Sequence, residues 1–120
     1  MQTLMLGRTA SETYLAACRA RLRELRRGAW HINAYVRQCM GRGMDARRVL
    51  AVQRALAAQI AFARIMVRRA RHDVRAERGE AGSPEEVRHM RLMYWLWARQ
   101  ADAAVQSAMH TLAENERGFT

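Results

Sequence analysis

The sequence predicts an all-α protein, an elongated antiparallel bundle of three long helices. Apolar residues recur at spacings of 3 and 4 over three stretches of about thirty residues, as in helices packed lengthwise on one another. One proline, seven glycines and eight aromatic residues in 120 are unlike the composition of a β-sandwich, a collagen-like chain or a disordered tail. We expect a single helical-bundle domain over residues 1–120, with helices at about 10–40, 46–78 and 84–116.

The first helix is predicted to begin at a capping box of Thr9 and Glu12, in which each side chain accepts a backbone N–H. Gly28 is a candidate kink because glycine disfavours a helix by about 1 kcal/mol, but the apolar pattern continues in register across it. Gly41 and Gly43 are expected to end the helix. Its core-facing residues are predicted to be Leu15, Cys18, Leu22, Leu25, Ala29, Ile32, Val36 and Cys39.

The second helix is predicted to start near Asp45 and to end between Gly79 and Gly82. Its core-facing residues are expected to be Val49, Val52, Leu56, Ile60, Ala63, Val67, Ala70 and Val74.

The third helix has the clearest start, because Ser83, Pro84 and Glu86 supply an N-cap, a first-turn proline and a capping-box carboxylate. Short connections make neighbouring helices antiparallel. Its core-facing residues are expected to be Val87, Met90, Tyr94, Trp97, Ala101, Ala104, Ala108 and Leu112.

The predicted core is thin, because alanines fill many of its positions, and this indicates burial against another chain. Residues 92–98 are apolar around the whole helix, which a surface helix does not need. The alternative is that the third helix lies centrally between the other two. We expect a protein contact at Leu92, Trp95, Leu96, Arg91 and Arg99.

The charge is unevenly distributed. All 21 basic residues are arginine, and the formal net charge is +10. A GC-rich coding sequence favours arginine codons, so the absence of lysine need not reflect function, and the placement of the arginines is the informative part. Residues 1–43 carry a net charge of +6, residues 44–79 carry +6 and residues 80–120 carry −2. A basic surface on the first two helices indicates a polyanionic or acidic partner.

The arginines of the second helix form a row, with spacings of 4, 3, 4 and 3 from Arg64 to Arg78. We expect this row to lie opposite the core-facing residues. Guanidinium groups bind phosphate bidentately, so the row predicts sequence-nonspecific contact with a nucleic-acid backbone, with a single strand or an RNA–DNA hybrid favoured. The predicted nucleic-acid-binding residues are Arg19, Arg23, Arg26, Arg47, Arg54, Arg64, Arg68, Arg71, Arg75 and Arg78.

Trp95 is the candidate for stacking a base, because Arg91 and Arg99 lie four residues before and after it. Packing against another subunit is the use of Trp95 that we favour.

The sequence offers no pattern for catalysis, a metal or a cofactor. The four histidines are dispersed, and neither a phosphate-binding glycine loop nor a nucleophile elbow is present. Arg26 and His31 stand in an R-x4-H relation that resembles the ribonuclease motif of small HEPN-type toxins, and an arginine-rich chain produces such a pair by chance. We expect no enzymatic activity, no cofactor, no metal site and no small-molecule substrate.

Several features predict a cytoplasmic protein with no membrane partner. Cys18 and Cys39 lie at core-facing positions as free thiols, which suits a reducing compartment. Residues 1–6 lack the charged and apolar segments of a signal peptide. The longest apolar run, residues 55–67, is interrupted twice and is shorter than the ~18 residues of a membrane span.

A basic, all-helical chain with arginine rows on two helices and an apolar patch on the third is similar to the small helical subunits of CRISPR ribonucleoprotein effector complexes. The resemblance covers the whole chain and rests on architecture and on the charge of the row from Arg64 to Arg78. It implies copies stacked within a nucleoprotein assembly, contacting nucleic acid without catalysis. The alternative is a phage- or plasmid-type adaptor or inhibitor whose arginine face binds an acidic protein.

Overall fold

A computed structural model describes residues 8–43 and 45–118 as three long helices, which confirms the predicted fold class. They are α1 (Ala10–Gly41), α2 (Arg47–Glu77) and α3 (Pro84–Gly118). The principal dimensions of 55 × 36 × 24 Å are those of an elongated molecule. Residues 1–6, on which the expectation of no signal peptide rests, lie outside the described residues.

The predicted capping signals begin two of the helices. Thr9 Oγ1 accepts a hydrogen bond from the backbone N–H of Glu12 at 3.1 Å, while the Glu12 carboxylate lies 3.6 Å from Arg78 at the end of α2. The box before α3 is complete, because Ser83 Oγ accepts from Glu86 N and the Glu86 carboxylate accepts from Ser83 N, both at 3.1 Å. Local hydrogen bonds therefore fix the starts of α1 and α3.

α2 begins at Arg47, close to the predicted start. Asp45 Oδ1 accepts a hydrogen bond from the backbone N–H of Arg47 at 3.0 Å. The helix ends before Gly79, whose φ of +71° is the left-handed conformation that glycine adopts without strain. α1 runs through Gly28 without a break in its helical hydrogen bonding.

α2 is the central helix. Both α1 and α3 pack along it in antiparallel fashion, and within the described part of the chain α1 and α3 do not pack on each other. Ser11 at the start of α1 donates a hydrogen bond to Glu77 at the end of α2, and Arg91 near the start of α3 lies 3.7 Å from Asp73. The alternative of a central third helix is therefore wrong, and the molecule is an open layer with two broad faces.

The main hydrophobic core lies between α1 and α2. It comprises Leu15, Leu22, Leu25, Ala63, Val67, Ala70 and Val74. The part of α2 and α3 outside this cluster buries only small or polar residues: Ala51, Ala55, His72 and Ala98.

The core-facing prediction for α3 is partly wrong. Trp97 is 39% exposed and Ala104 is exposed, while Ala98 is buried instead. A helix with one neighbour buries a narrow strip, so residues at the edge of a wider predicted face remain in solvent.

α2 is long and apolar enough to cross a membrane, with 31 residues and a mean hydropathy of 1.4 over an 18-residue window, the one such helix in the described part of the chain. The mean hydropathy of α2 thus reaches the level of a membrane span, although the apolar run at residues 55–67 is shorter than one. The absence of a membrane partner stays a prediction. Only 17% of that window is buried, because α1 and α3 cover two sides of the helix and leave others open.

Candidate functional site

The arginine row of α2 lies on the flank of that helix between α1 and α3. Arg71, Arg75 and Arg78 line a hollow on the side of α1, and Arg68, Arg71 and Arg75 line a second hollow with Tyr94 of α3. The predicted position opposite the core-facing residues is wrong, because α3 covers that side of α2. At 100° per residue, Arg68 lies about 100° around the helix from Val67, whereas His72, which contacts α3, lies about 140° from it.

The arginines of α1 lie on the same broad face of the molecule. Arg19 lines the hollow that Arg71, Arg75 and Arg78 also line, as does Arg8, which the sequence did not single out. Arg23 and Arg26 follow Arg19 at spacings of 4 and 3, so they share its edge of α1. The basic face is defined by Arg8, Arg19, Arg23, Arg26, Arg54, Arg64, Arg68, Arg71, Arg75 and Arg78, all exposed.

The row crosses this face obliquely. Residues seven apart drift by about 20° per heptad on a straight helix. Arg54 accordingly lines a hollow with Ala104 and Ser107 of α3, whereas Arg78 at the other end of α2 reaches Glu12 of α1. Arg47 is held by Asp45 in an ion pair at 2.9 Å, so its charge is largely compensated.

Most of the charge on the basic face has no acidic partner. Arg54, Arg64, Arg68 and Arg71 form no ion pair with any residue that the structure describes. Arg75 donates a hydrogen bond to the backbone carbonyl of Glu80 at 2.9 Å, which holds the side chain without neutralising it. The face therefore presents cations that an external anion can bind.

The two hollows beside the row differ in charge. The α1-side hollow, about 270 Å³, is also lined by Glu12, which pairs with Arg78. The α3-side hollow, about 260 Å³, has no carboxylate among its lining residues, which are Arg68, Arg71, His72, Arg75 and Tyr94. The α3-side hollow thus presents its arginines without a carboxylate that would repel an anion.

His72 is a buried polar residue in this hollow, and sequence reasoning missed it. Its side chain is 8% exposed, and neither ring nitrogen has a hydrogen-bond partner among the described residues. Nδ1 lies 3.9 Å from Asp73 Oδ1, beyond hydrogen-bond distance. A second stripe on α2 could have revealed this burial: His72 lies seven residues after Ile65 in the series Ala51, Ala55, Ala58, Phe62 and Ile65.

Three aromatic rings follow one another from the hollow to the surface. The His72 and Tyr94 ring centroids are 5.6 Å apart, and those of Tyr94 and Trp97 are 5.4 Å apart in an edge-to-face arrangement. Trp97 therefore places a partly exposed indole against Tyr94, which lines the hollow.

The predicted contact patch on α3 is exposed but its charges are arranged differently. Leu92, Trp95 and Leu96 are 54%, 44% and 41% exposed. The Arg99 guanidinium lies 4.9 Å from the centre of the Trp95 ring, whereas Arg91 pairs with Asp73. One cation, not two, thus lies at Trp95, and it covers a face of the ring that a base would use.

The opposite broad face carries an apolar groove of about 480 Å³, with α2 as its floor and α1 and α3 as its walls. Burial, with a hydrogen bond to Cys18, raises the pKa of Tyr14 in this groove. Its lining residues are Tyr14, Ala17, Cys18, Arg21, Leu25, Gln59, Phe62, Ala63, Met66, Asp102 and Val105.

No three His, Cys, Asp or Glu side chains in residues 8–43 and 45–118 lie close enough to hold a metal ion. Cys18 and Cys39 are free thiols. His31 is exposed, and its ring contacts Trp30 at a centroid distance of 5.0 Å.

Comparison with known protein families, curated proteins and solved structures found no match for this chain. Its function must therefore be inferred from the chemistry of its own surfaces.

Proposed function

We propose that this protein is a non-catalytic subunit of a nucleoprotein assembly that binds the phosphate backbone of nucleic acid through its basic face. The observation that carries the proposal is the oblique arginine row, in which Arg54, Arg64, Arg68 and Arg71 have no acidic partner among the described residues. A solvated helix face gains stability by alternating acidic and basic residues at i and i+4, and this one does not.

The geometry of the row suits a polyanion. From Arg64 to Arg78 about one helical turn separates successive arginines, a pitch of about 5.4 Å, so several guanidinium groups can engage neighbouring phosphates of one strand. Such contacts position the protein on the backbone and carry no base sequence information. We therefore expect nonspecific binding of a single strand or an RNA–DNA hybrid.

Membership of a larger assembly is supported by the other surfaces. The apolar groove and the exposed patch of Leu92, Trp95 and Leu96 lie away from the basic face, so protein contacts and nucleic-acid contacts do not compete for the same residues. This division is what a subunit similar to the small helical proteins of CRISPR effector complexes requires. A cytoplasmic location is part of the same proposal.

The proposal is tested by fluorescence anisotropy with a labelled single-stranded oligonucleotide over a range of salt concentrations. Each neutralised phosphate contributes a log–log slope of about −0.7, so Arg64→Gln, Arg68→Gln and Arg71→Gln together should reduce the slope by about 2. The matched control is Arg21→Gln, Arg88→Gln and Arg99→Gln, which removes the same charge elsewhere and should retain the wild-type slope. Absence of binding at low salt, or equal loss in both triple variants, contradicts the proposal.

The competing hypothesis is an adaptor or inhibitor whose arginine face binds an acidic protein. The apolar groove favours it, because protein partners bury apolar surface as well as charge. It predicts a stoichiometric protein complex that survives nuclease treatment and an A260/A280 ratio of freshly purified protein that does not change after high salt.

A further inference from the structure

The α3-side hollow has the features of a site for one nucleotide. Three arginines line it together with a buried imidazole that lacks hydrogen-bond partners among the described residues, and a partly exposed indole packs against Tyr94, another of its lining residues. We propose that the hollow binds one internal phosphate of a single strand while the base of that nucleotide stacks on Trp97. This inference rests on the proposed function and identifies where on the basic face one nucleotide of the strand is bound.

The charges in the hollow favour a phosphate. Arg68 and Arg71 have no acidic partner in the described part of the chain, and Arg75 is oriented by its hydrogen bond to the Glu80 carbonyl. Orientation before binding lowers the entropy lost when the guanidinium engages a phosphate oxygen. Arg71 and Arg75 also line the α1-side hollow, but there the Glu12 carboxylate pairs with Arg78 and repels an anion.

His72 is the second observation that points to a ligand. A buried imidazole whose nitrogens have no partner is costly, and such groups are rare in folded proteins. Asp73 lies 3.9 Å from Nδ1 and is itself held 3.7 Å from Arg91 on α3, so Nε2 is the nitrogen left for a ligand. His72 lines the hollow together with Tyr94, and its Nε2–H is the group that would donate to a phosphate oxygen bound there.

Trp97 supplies the surface for the base. Its indole is 39% exposed and packs edge-to-face against Tyr94, which lines the hollow. Stacking of a base on an aromatic side chain is tolerant of sequence because every base has a flat face. A duplex keeps its bases stacked inside, so this site selects single strands.

The test uses intrinsic tryptophan fluorescence of the full chain titrated with an unlabelled single-stranded oligonucleotide. Trp97→Phe should abolish most of the quenching because it removes the fluorophore, and Trp97→Leu, which removes the aromatic face, should also weaken binding about tenfold. Trp95→Phe and Trp95→Leu should leave quenching and binding close to wild type. Circular dichroism checks that each variant folds. Loss of quenching in Trp95→Phe in place of Trp97→Phe overturns the proposal.

The phosphate part is tested with pyrophosphate alone, monitored by NMR of the histidine ring resonances. The His72 resonances should shift with pyrophosphate, while those of the exposed His31, His89 and His110 serve as internal references. Arg68→Gln with Arg71→Gln should abolish the shift, and Arg23→Gln with Arg26→Gln should leave it. A 5′-phosphorylated oligonucleotide should bind no tighter than its 5′-hydroxyl form, and a clear preference for the phosphorylated form overturns the assignment to an internal phosphate.

Failure of this inference is distinguishable from failure of the proposed function. If an oligonucleotide binds with the expected salt slope but Trp97→Phe behaves like wild type and pyrophosphate leaves His72 unchanged, the nucleotide site is wrong and the phosphate-binding function stands. If no nucleic acid binds at low salt, both are wrong.

Discussion

The two helix–helix interfaces of this protein are built from different side chains. The α1–α2 interface buries leucines and valines in one continuous cluster, whereas α3 contributes a single buried residue, Ala98, to its contact with α2. A buried leucine side chain stabilises a fold by about 1.5–3 kcal/mol, and an alanine contributes much less. The stability of the molecule therefore resides mainly in the α1–α2 pair, and the weaker interface is the one that contains the α3-side hollow.

The largest expected change in stability comes from a substitution within the stronger interface. Leu22, 8% exposed, lies within the α1–α2 cluster, and Leu22→Ala should lower the free energy of unfolding by about 2–5 kcal/mol through lost burial and the cavity left behind. The measurement is chemical denaturation followed by circular dichroism. Leu92→Ala, at a site 54% exposed, is the control and should change stability by about 0.5 kcal/mol or less. Equal losses in the free energy of unfolding for Leu22→Ala and Leu92→Ala would mean that the hydrophobic core does not lie between α1 and α2.

Two glycine substitutions compare the connection before α3 with the interior of α1, which belongs to the stronger interface. Gly82 has a φ of +95°, and an added Cβ would lie 3.0 Å from the Glu86 carboxyl carbon, in the capping box of α3. Gly82→Ala should therefore destabilise the protein by about 1 kcal/mol or more. Gly28→Ala, inside α1 with nothing within 4 Å of an added Cβ, should stabilise it by about 0.5–1 kcal/mol. Thermal unfolding of both variants measures the difference, and the same sign for both would contradict the geometry.

The weaker interface should gain stability when its buried histidine is replaced. His72→Phe removes two ring nitrogens without partners and keeps a ring against Tyr94, so it should raise the free energy of unfolding by about 1 kcal/mol. Urea denaturation measures this change. A loss of more than about 1 kcal/mol would show that the imidazole has a stabilising partner in the folded protein.

The smallest effect concerns pH and the connections before α2 and α3. Hydrogen bonds from the Ser83 backbone and side chain lower the pKa of Glu86, and the Arg47 side chain lowers the pKa of Asp45. A carboxylate whose pKa is lower when folded contributes stability above its ordinary pKa of about 4, and loses it as the pH falls through the lowered value. Glu86→Gln and Asp45→Asn should each be less stable than wild type at pH 6 and equal to it near pH 2, measured by urea denaturation. A difference that persists at pH 2 would assign the effect to packing.

The elements of this fold were predictable because their signals are local. The N-caps Thr9 and Ser83 and the terminating glycines lie within a few residues of the helix ends that they determine, so the predicted and observed bounds agree within two residues. The core of α1 was predictable for the same reason, because one apolar stripe faces one neighbour.

The arrangement of the helices depends on contacts that no short segment encodes. α2 has two apolar stripes, and the second, made largely of alanines, resembles an ordinary solvated face until α3 is placed on it. For that reason the arginine row was predicted on the side of α2 opposite the core, and His72 was not predicted to be buried. The sequence predicts that Trp97 is buried and that Trp95 packs against another subunit, with base stacking as its alternative use. In the structure α3 packs on α2 alone among the described helices, which leaves Trp97 at an open edge, and Arg99 lies over Trp95.

The absence of packing between α1 and α3 has a consequence for how the chain acquires its structure. Every interhelical pairing among residues 8–43 and 45–118 joins helices that are consecutive along the chain, so the α1–α2 hairpin requires no contact with α3. Most residue contacts of this protein lie within single helices, and proteins rich in such local contacts fold on the microsecond to millisecond scale. During synthesis the hairpin can assemble as soon as Glu77 has left the ribosome, and α3 then docks onto a surface that already exists.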